Sequence, residues 1–281
     1  KVDVLSVIGE CETSVELKEL LSNIKIDTQY LIYQKDRVTS KKSRIIAEQQ
    51  QVVRYDRENT DEINIESQKI IIETFQVVIS NYDVILLSDY GKGVLSDAVL
   101  RRLIVLGRDA RIPIIVDPKG NDYTRYRGAS LLTPNRYELA EATGLQTDND
   151  EEVSSACNML IERCGVDGVL ATRGEDGAIL VHSGGVLRLI ARQPREVFDV
   201  SGAGDTVVAA LAAGLAVGAP LEIAAELANT AAGVVVEAAV GLALRSGFAG
   251  IFPAGAALGS GVDASLHRHS CTDEGSHHRR G

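Results

Sequence analysis

The chain has 281 residues, of which 45% are hydrophobic and 24% are charged. That composition is typical of a globular protein with a large buried core, and it excludes wholesale disorder. The 29 Lys and Arg residues are outnumbered by 39 Asp and Glu residues, so the net charge is −10. This balance excludes the broad basic surface that non-specific nucleic-acid binding requires.

Neither a membrane span nor a disulfide framework is expected from this sequence. The longest uncharged apolar stretch, residues 206–221, has 16 residues, which is short for a bilayer span and suits a buried helix. No secretory signal opens the chain, so we expect a cytoplasmic protein. No CxxC pair occurs, and Cys157 and Cys164 share one predicted helical face, so buried reduced thiols are expected.

An excess of positive charge marks the first part of the chain. Residues 2–8 predict a strand and residues 14–21 a helix, and two stretches rich in β-formers, 37–47 and 52–57, predict a hairpin. Residues 35–57 contain seven Lys or Arg and three Asp or Glu, a local charge of +4. Two interpretations remain open, a solvated hairpin and a cationic flap over an anionic small molecule.

An α/β rhythm begins at residue 84. Short apolar runs without alternation end in polar residues, and helical stretches separate them, which predicts a mostly parallel central sheet with helices on both faces. Ligands of such sheets bind at the carboxyl ends of the strands, although Asp, Pro and Asn are also common turn formers. The predicted strands are residues 84–87, 112–116, 131–132 and 169–171, and the predicted helices are residues 96–108, 137–143 and 151–164.

The rest of the chain predicts a hairpin, two helices and a tail. Residues 178–182 and 186–190 form the hairpin around Ser183-Gly184-Gly185, and the helices cover residues 206–218 and 221–236. Residues 246–281 have no periodicity, so we expect a disordered tail after a domain of residues 1–245. Four of the five histidines lie there, but without an ordered scaffold a metal site in the tail is the less favoured interpretation.

The most informative motif is Asp-Val-Ser-Gly-Ala-Gly-Asp-Thr at residues 199–206. Glycines let backbone N–H groups point into a concavity, and the start of the following helix adds partial positive charge, so the loop is suited to phosphate. It matches neither a Walker A loop nor a dinucleotide fingerprint. A carboxylate there, Asp205, would repel phosphate unless it accepts a proton from an attacking hydroxyl; the alternative is a helix-capping Asp.

Residues 199–212 resemble the carboxyl-terminal signature of the ribokinase-like (PfkB) carbohydrate kinases. The resemblance implies a ribokinase-like α/β fold with a small β flap near residues 30–57. It also implies ATP as phosphate donor and Asp205 as catalytic base. The anion hole for the transferring phosphate would consist of the backbone amides of Gly202, Ala203 and Gly204.

Three further stretches are similar to the nucleotide side of that family. Residues 133–138 resemble its Asn-x-x-Glu segment, which helps to place Mg²⁺ and the ATP phosphates, and residues 172–177 and 228–233 resemble its nucleotide loop and adenine-side helix. The resemblance implies that Glu138 helps to hold Mg²⁺. The implied nucleotide-binding residues are Asn135, Arg136, Tyr137, Glu138, Thr172, Gly174, Gly177 and Asn229.

Within the family, residues 87–95, 116–120 and 126–129 resemble one branch, the D-glycero-β-D-manno-heptose 7-phosphate kinase domain of the ADP-heptose pathway. A sugar phosphate would explain the cationic 35–57 segment. Lys92 and Lys119 could each reach phosphate or be simply solvated. The implied substrate-binding residues are Thr39, Lys41, Arg44, Asp89, Lys92 and Lys119.

The sequence departs from this family at both ends. The early substrate-binding Asp and the Gly-Gly and Asn segment of the family have no counterpart here, nor has the second, nucleotidyl-transferring domain of bifunctional members. We therefore expect nucleotide binding to outlast catalysis in this chain. After residue 236 the similarity ends, and residues 246–281 resemble sequence read in another frame.

The favoured function is ATP-dependent phosphorylation of a heptose 7-phosphate at its anomeric hydroxyl, for lipopolysaccharide core synthesis. One alternative is another kinase of the family that acts on a hexose phosphate, pentose or nucleoside. The other is a non-catalytic nucleotide-binding fragment. Since family members commonly pair through a small β flap, a homodimer through the 35–57 hairpin is expected.

Overall fold

A six-stranded mixed sheet organises the fold, and two small two-stranded sheets accompany it. The computed structural model describes residues 1–47, 50–189 and 202–246. The described strands are β1 Ser6–Gly9, β2 Leu31–Gln34, β3 Lys41–Ala47, β4 Gln50–Arg57, β5 Ile85–Ser88, β6 Ile114–Asp117, β7 Leu131–Leu132, β8 Gly168–Thr172, β9 Ala178–His182 and β10 Gly185–Leu189. The described helices are α1 Glu12–Asn23, α2 Ile65–Val78, α3 Asp97–Ala110, α4 Arg136–Thr143, α5 Asp150–Cys164, α6 Ala203–Ala216 and α7 Leu221–Ser246.

The central sheet has the strand order β10-β9-β8-β7-β6-β5. Strands β5 to β8 are parallel, and β9 and β10 are added antiparallel at one edge. The predicted mostly parallel sheet with helices on both faces is confirmed. The parallel order has a consequence for function, because it brings the carboxyl ends of four strands to one edge.

Both faces of the sheet are buried, which explains the apolar runs without alternation. Successive residues of one strand join different hydrophobic clusters: Val116 packs on the side of α2, α3 and α5, whereas Ile115 packs on the side of α6 and α7. Strand β8 divides in the same way, with Val169 in the first cluster and Leu170 in the second. The two clusters together require apolar side chains on both faces of these strands.

The helix boundaries follow local capping chemistry. The side chain of Ser96 accepts a hydrogen bond from the Val99 amide at the start of α3, as predicted. Gly144 and Gly165 adopt positive φ and end α4 and α5, also as predicted. Strand β2 and helix α2 were not predicted, although Asn64 caps α2 in the same way, with a side chain that accepts from the Ser67 amide.

Two of the predicted helix boundaries were wrong. Helix α6 begins at Ala203 rather than at residue 206, because Gly202, with φ of 82°, is the cap and the Ala-Gly pair forms the first turn. Helix α7 continues to Ser246 instead of ending at residue 236, since the helix formers Ala, Leu, Glu and Arg make up most of its last turns. The predicted tail, residues 246–281, lies outside the described residues from residue 247 onward.

The two predicted hairpins differ in detail from expectation. Strands β3 and β4 pair antiparallel, but residues 37–40 are not part of the first strand. The β9–β10 turn has two residues instead of three, because Gly185 already belongs to β10. Part of the first turn, residues 48–49, is outside the described residues.

The prediction of buried reduced thiols is confirmed for the helix α5 pair. Cys157 and Cys164 are both free and fully buried. Burial raises the pKa of the Cys157 thiol to about 12, so it remains protonated at neutral pH. Within the described ranges, no helix combines the length and the apolarity that crossing a bilayer requires.

Candidate active site

The loops that follow β5 to β8 meet at one edge of the sheet. The Asp89 amide donates to the carbonyl of Asp117 at 3.0 Å, so the loops after β5 and β6 are joined directly. Asn135, just after β7, forms a parallel bridge with Thr172 at the end of β8. This edge is where the polar residues of the predicted strand ends come together.

The start of α6 presents backbone donors that have no acceptor within the helix. The first-turn amides of a helix have no intrahelical acceptor, and those of Ala203 and Gly204 belong to this group. A Cβ atom added at Gly202 or Gly204 would meet no described atom within 4 Å. Among the described residues, none fills the space in front of these glycines, as an anion site requires. Residues 199–201, the first part of the predicted loop, lie outside the described residues.

Asp205 lies in the first turn of α6 and is exposed. Its Oδ1 accepts a hydrogen bond from the hydroxyl of Tyr90, at 3.4 Å, on the loop after β5. Burial raises the pKa of Tyr90, and the neighbouring Asp205 carboxylate raises it further, so the phenol remains a donor. Asp205 therefore faces the loops of the sheet edge rather than the hydrophobic interior.

Carboxylates concentrate behind this helix start. Burial, together with the negative charges of Glu138 and Asp205, raises the pKa of Asp117, at the end of β6, from 3.8 to about 6. Lys119 partly offsets this field and donates to Glu138 at 3.3 Å. Such an excess of negative charge favours a bound cation.

The Asn-x-x-Glu segment forms a capping box at the start of α4. The side chain of Asn135 accepts from the amides of Tyr137 and Glu138, and Glu138 accepts from the Asn135 amide at 3.1 Å. The other carboxylate oxygen of Glu138 accepts the hydrogen bond from the Lys119 ammonium group. The motif thus has a structural task that sequence reasoning did not assign to it, and it fixes Glu138 at the sheet edge.

Side chains join the two nucleotide-like stretches. Arg136 lies 4.8 Å from the ring centre of the exposed Tyr137 and 3.9 Å from Asp176, in the 3-10 turn Gly174–Asp176. Arg173 beside this turn pairs with Asp150 of α5 at 2.5 Å. Gly174 and Gly177 both adopt positive φ, which the tight turn requires. Asn229 is half-buried on α7, next to the fully buried Ala228.

The predicted substrate residues of the flap do not form one group. Thr39 is buried, and its hydroxyl accepts from the Gly9 amide at 2.8 Å, so it connects β1 to the flap base. Strand alternation places Lys41 and Arg44 on opposite faces of the hairpin, and Lys41 pairs with Glu16 at 3.0 Å. Lys42, which shares the face of Arg44, is the better candidate.

The predicted substrate residues after β5 have partners within the protein. Asp89 is 6% exposed and accepts hydrogen bonds from the Gly91 amide and the Tyr126 hydroxyl, each at 2.8 Å. Lys92 pairs with Glu58, and its carbonyl accepts from the guanidinium of Arg37 at 2.5 Å. Asp89 is therefore held in place by the protein itself, and its role in substrate binding stays a prediction.

Comparison with known proteins identifies the family of the chain that carries this site. Residues 1–241 match the pfkB family of carbohydrate kinases. The chain belongs to the pfkB family. The resemblance inferred from residues 199–212 is thereby confirmed, and with it the expectation of a kinase that transfers phosphate to an alcohol.

The curated relatives are bifunctional proteins. The chain is 50% identical over 232 residues to the bifunctional protein HldE of Rhodospirillum rubrum, covering 83% of this chain and 47% of that protein. It is 45% identical over 235 residues to the bifunctional protein HldE of Aliarcobacter butzleri, covering 84% and 49%. The pfkB chain thus spans about half the length of these relatives.

Solved structures support the fold. The ribokinase of Arabidopsis thaliana complexed with ribose and ATP matches with a TM-score of 0.67 at 21% identity, covering 84% of this chain and 75% of that chain. Phosphofructokinase-2 of Escherichia coli, in complex with potassium, matches with a TM-score of 0.68 at 18% identity and the same coverage. At such identities these matches establish the ribokinase-like architecture alone.

Two residues at this edge were missing from the predicted site. Tyr90 contacts Asp205, and Asp117 lies within the field of three other carboxylates. Both follow predicted strands directly, so their position at a carboxyl end was the available signal. What the sequence did not reveal is that α6 approaches this end of the sheet.

Proposed function

We propose that this chain catalyses ATP-dependent phosphorylation of the anomeric hydroxyl of D-glycero-D-manno-heptose 7-phosphate, giving the 1,7-bisphosphate. The observation that carries the proposal is the position of Asp205, exposed beside the open first turn of α6 and facing the loops of the sheet edge. The 40–50% identity to HldE proteins supports the heptose branch over other pfkB kinases. The product would enter ADP-heptose synthesis for the lipopolysaccharide core.

In the proposed reaction Asp205 acts as general base. As the acceptor oxygen forms its bond to the terminal phosphorus of ATP, its proton passes to the Asp205 carboxylate, and the bond to the departing ADP oxygen breaks. The amides of Gly202, Ala203 and Gly204 would donate hydrogen bonds to the phosphoryl oxygens and so stabilise their charge. The Tyr90 hydroxyl holds the base toward the acceptor until the sugar binds.

Mg²⁺ fits this edge as a partner of ATP rather than as a caged ion. Among the described residues, no three acidic, His or Cys side chains converge on a metal site. Mg²⁺ often uses only one or two carboxylates together with water and substrate phosphates. Glu138, with Asp117 beside it, would supply them, and the ion would offset phosphate charge. The raised pKa of Asp117 indicates negative charge that such a cation would relieve.

ATP and sugar phosphate would approach from different loops. We assign ATP to the stretches around Asn135 and the Gly174–Asp176 turn, where Arg136 and Thr172 lie. Lys119 lies between the nucleotide side and the acceptor side. The sugar 7-phosphate would meet the charged face of the flap, which carries Lys42 and Arg44.

We further infer one kinase domain over residues 1–245, a cytoplasmic location where ATP is available, and a homodimer. One face of the hairpin exposes Ile45, Val53 and Tyr55, of which Ile45 and Val53 are paired across the strands. A two-stranded ribbon with an exposed apolar face is suited to packing against a second copy.

An acceptor panel tests the proposed substrate. The purified chain is assayed for ADP release with heptose 7-phosphate, fructose 6-phosphate, ribose and adenosine. We expect turnover with the heptose phosphate and at least tenfold lower kcat/KM with the others. Preference for another acceptor would redirect the assignment within the family, and nucleotide binding without turnover on any acceptor would indicate a binding fragment.

A second experiment tests the base. Asp205→Asn keeps the shape of the side chain but removes its capacity to accept a proton, so kcat should fall by about 10²–10⁴-fold. Binding of a fluorescent ATP analogue should change little, because the amides of the α6 start are retained. A variant that turns over at the wild-type rate would contradict the role of Asp205.

A further inference from the structure

Two buried tyrosines lie beneath the loops of the active site, and among the described residues only one of their hydroxyls has a hydrogen-bond partner. Tyr123 and Tyr126 are in edge-to-face contact, with ring centres 5.6 Å apart, and both are almost completely buried. Within the described part of the chain, the Tyr123 hydroxyl has no hydrogen-bond partner. The Tyr126 hydroxyl has partners on two different loops, so the two residues are a natural comparison.

The Tyr126 hydroxyl bridges the loops after β5 and β6. It donates to the carboxylate of Asp89 at 2.8 Å and accepts from the Lys119 amide at 3.0 Å. The carbonyl of Lys119 also lies 3.0 Å from this hydroxyl. Because a hydroxyl has only one proton to donate, the charged carboxylate of Asp89, which is the better acceptor, receives it. Burial raises the pKa of Tyr126, so this proton is retained at neutral pH.

The Asp89 end of the bridge is held rigidly. Its other oxygen accepts from the Gly91 amide at 2.8 Å, and Arg125 lies 3.3 Å from the oxygen that Tyr126 contacts. Arg125 also donates to the carbonyl of Leu95 at 2.8 Å. A buried carboxylate with these partners cannot turn without leaving charge unpaired, which is costly.

Each bridged loop carries a residue that acts at the site. The loop after β5 holds Tyr90, which contacts Asp205, and the loop after β6 holds Lys119, which contacts Glu138. We propose that Tyr126 is a positioning residue that sets the spacing between these two loops, and so between the acceptor side and the phosphate side of the site. The proposal rests on the proposed kinase function for its kinetic test but not for its structural test.

The kinetic test compares two isosteric variants. Tyr126→Phe removes the bridge, and Tyr123→Phe removes a neighbouring hydroxyl with no partner. A small misplacement of reacting groups slows the reaction strongly. At temperatures where Tyr126→Phe is folded, we therefore expect its kcat to be about tenfold lower than that of the wild type, with KM for ATP changed less than twofold. Tyr123→Phe should retain kcat within twofold. Wild-type kcat in Tyr126→Phe, or equal losses in both variants, would overturn the proposal.

The structural test uses hydrogen exchange in the unliganded protein. In Tyr126→Phe the amide of Lys119 should exchange at least fivefold faster, and that of Gly91 should also be faster, whereas Tyr123→Phe leaves both unchanged. If the wild-type chain phosphorylates none of the acceptors, the proposed function fails and exchange alone decides the inference. Wild-type exchange rates in Tyr126→Phe would overturn it.

A further variant covers the case in which Tyr126→Phe does not fold. Asp89→Ala removes both carboxylate oxygens, so the Tyr126 hydroxyl loses its partner on the loop after β5. The same fall in kcat and the same faster exchange at Lys119 are expected. Wild-type behaviour of Asp89→Ala in both measurements would contradict the positioning role.

Discussion

At the scale of one residue, a substitution at Gly204 should affect catalysis without impairing folding. No described atom lies within 4 Å of a Cβ added there, and its backbone is helical, so an alanine meets no obstacle within the described chain. The same methyl group would occupy the space that the proposed phosphate needs. We expect Gly204→Ala to retain or slightly raise thermal stability, because alanine favours helix over glycine, while kcat/KM for ATP falls about 100-fold.

Gly214 in the same helix is the matched control. A Cβ there would lie 2.9 Å from the Cβ of Ala224 in α7, so Gly214→Ala should lower the melting temperature through overpacking. It should leave kcat/KM for ATP near the wild-type value at temperatures where the variant is folded. Thermal unfolding and steady-state kinetics measure both effects. Unchanged kinetics in Gly204→Ala would contradict phosphate binding at the start of α6.

The raised pKa of Asp117 predicts that the stability of the fold depends on pH. Its pKa is raised from 3.8 to about 6 in the folded chain, so the ionised form destabilises the fold. This penalty is complete above about pH 7, decreases as the pH falls through 6, and vanishes below 3.8. Asp117→Asn should therefore raise the free energy of unfolding by about 1–2 kcal/mol at pH 8 and by progressively less toward pH 4.

Urea unfolding at several pH values measures the Asp117 effect. A constant difference between wild type and Asp117→Asn across this range would show that the carboxyl does not titrate near 6. Added Mg²⁺ with ATP provides a second readout, because a cation beside Asp117 stabilises its ionised form and should reduce the advantage of the variant at pH 8.

At the scale of elements, comparing two asparagine helix caps distinguishes a role in helix stability from a role in ATP binding. Asn135 caps α4 at the site, and Asn64 caps α2 away from it, where its side chain accepts from the Ser67 amide at 2.8 Å. Each Asn→Ala change should cost about 1 kcal/mol of stability. Only Asn135→Ala should raise KM for ATP, by about tenfold. Equal KM values in the two variants would argue that Asn135 is a cap alone.

Element boundaries were predictable where the chemistry is local. Ser96, Gly144 and Gly165 each end or begin a helix through their own side chain or φ value, so the sequence indicates them directly. Helix α7 was underestimated because its pattern changes while its helix propensity does not. Strand β2 has four residues and pairs with β1 across a whole helix, and such pairing leaves no local signal.

The roles of substrate residues were harder to predict, for a tertiary reason. Asp89 and Thr39 both look like binding residues because each is polar and occurs in a motif. In the fold each is buried and bonded to a distant part of the sequence, Thr39 to the Gly9 amide and Asp89 to the Tyr126 hydroxyl. Burial depends on which elements come together, and neither spacing nor composition encodes that directly. The position of Asp117 and Lys119 at the carboxyl end of β6 was predictable because it depends on topology alone, and the role of Lys119 stays a prediction.

At the scale of the whole molecule, the exposed apolar face of the hairpin makes a prediction about assembly. If that face pairs two copies, Ile45→Glu should place two charges in a dry contact and convert a dimer of about twice 30.1 kDa into monomer. Val186→Glu, at a similarly exposed valine of β10, should leave the assembly unchanged. Light scattering after gel filtration measures the mass. Identical masses for wild type and both variants would contradict pairing through the flap.

Most of the candidate ligand contacts lie on loops at a single sheet edge, and this bears on divergence and redesign. The two hydrophobic clusters below that edge consist mainly of strand and helix residues, and the segment between β6 and β7 adds Tyr123, Tyr126 and Ala129, so a replacement loop that retains these three residues leaves the packing intact. Acceptor choice can thus drift by exchange of short surface segments while the interior is inherited unchanged. Grafting the β5 and β6 loops between kinases of this architecture is accordingly a more economical route to altered sugar preference than rebuilding the interior.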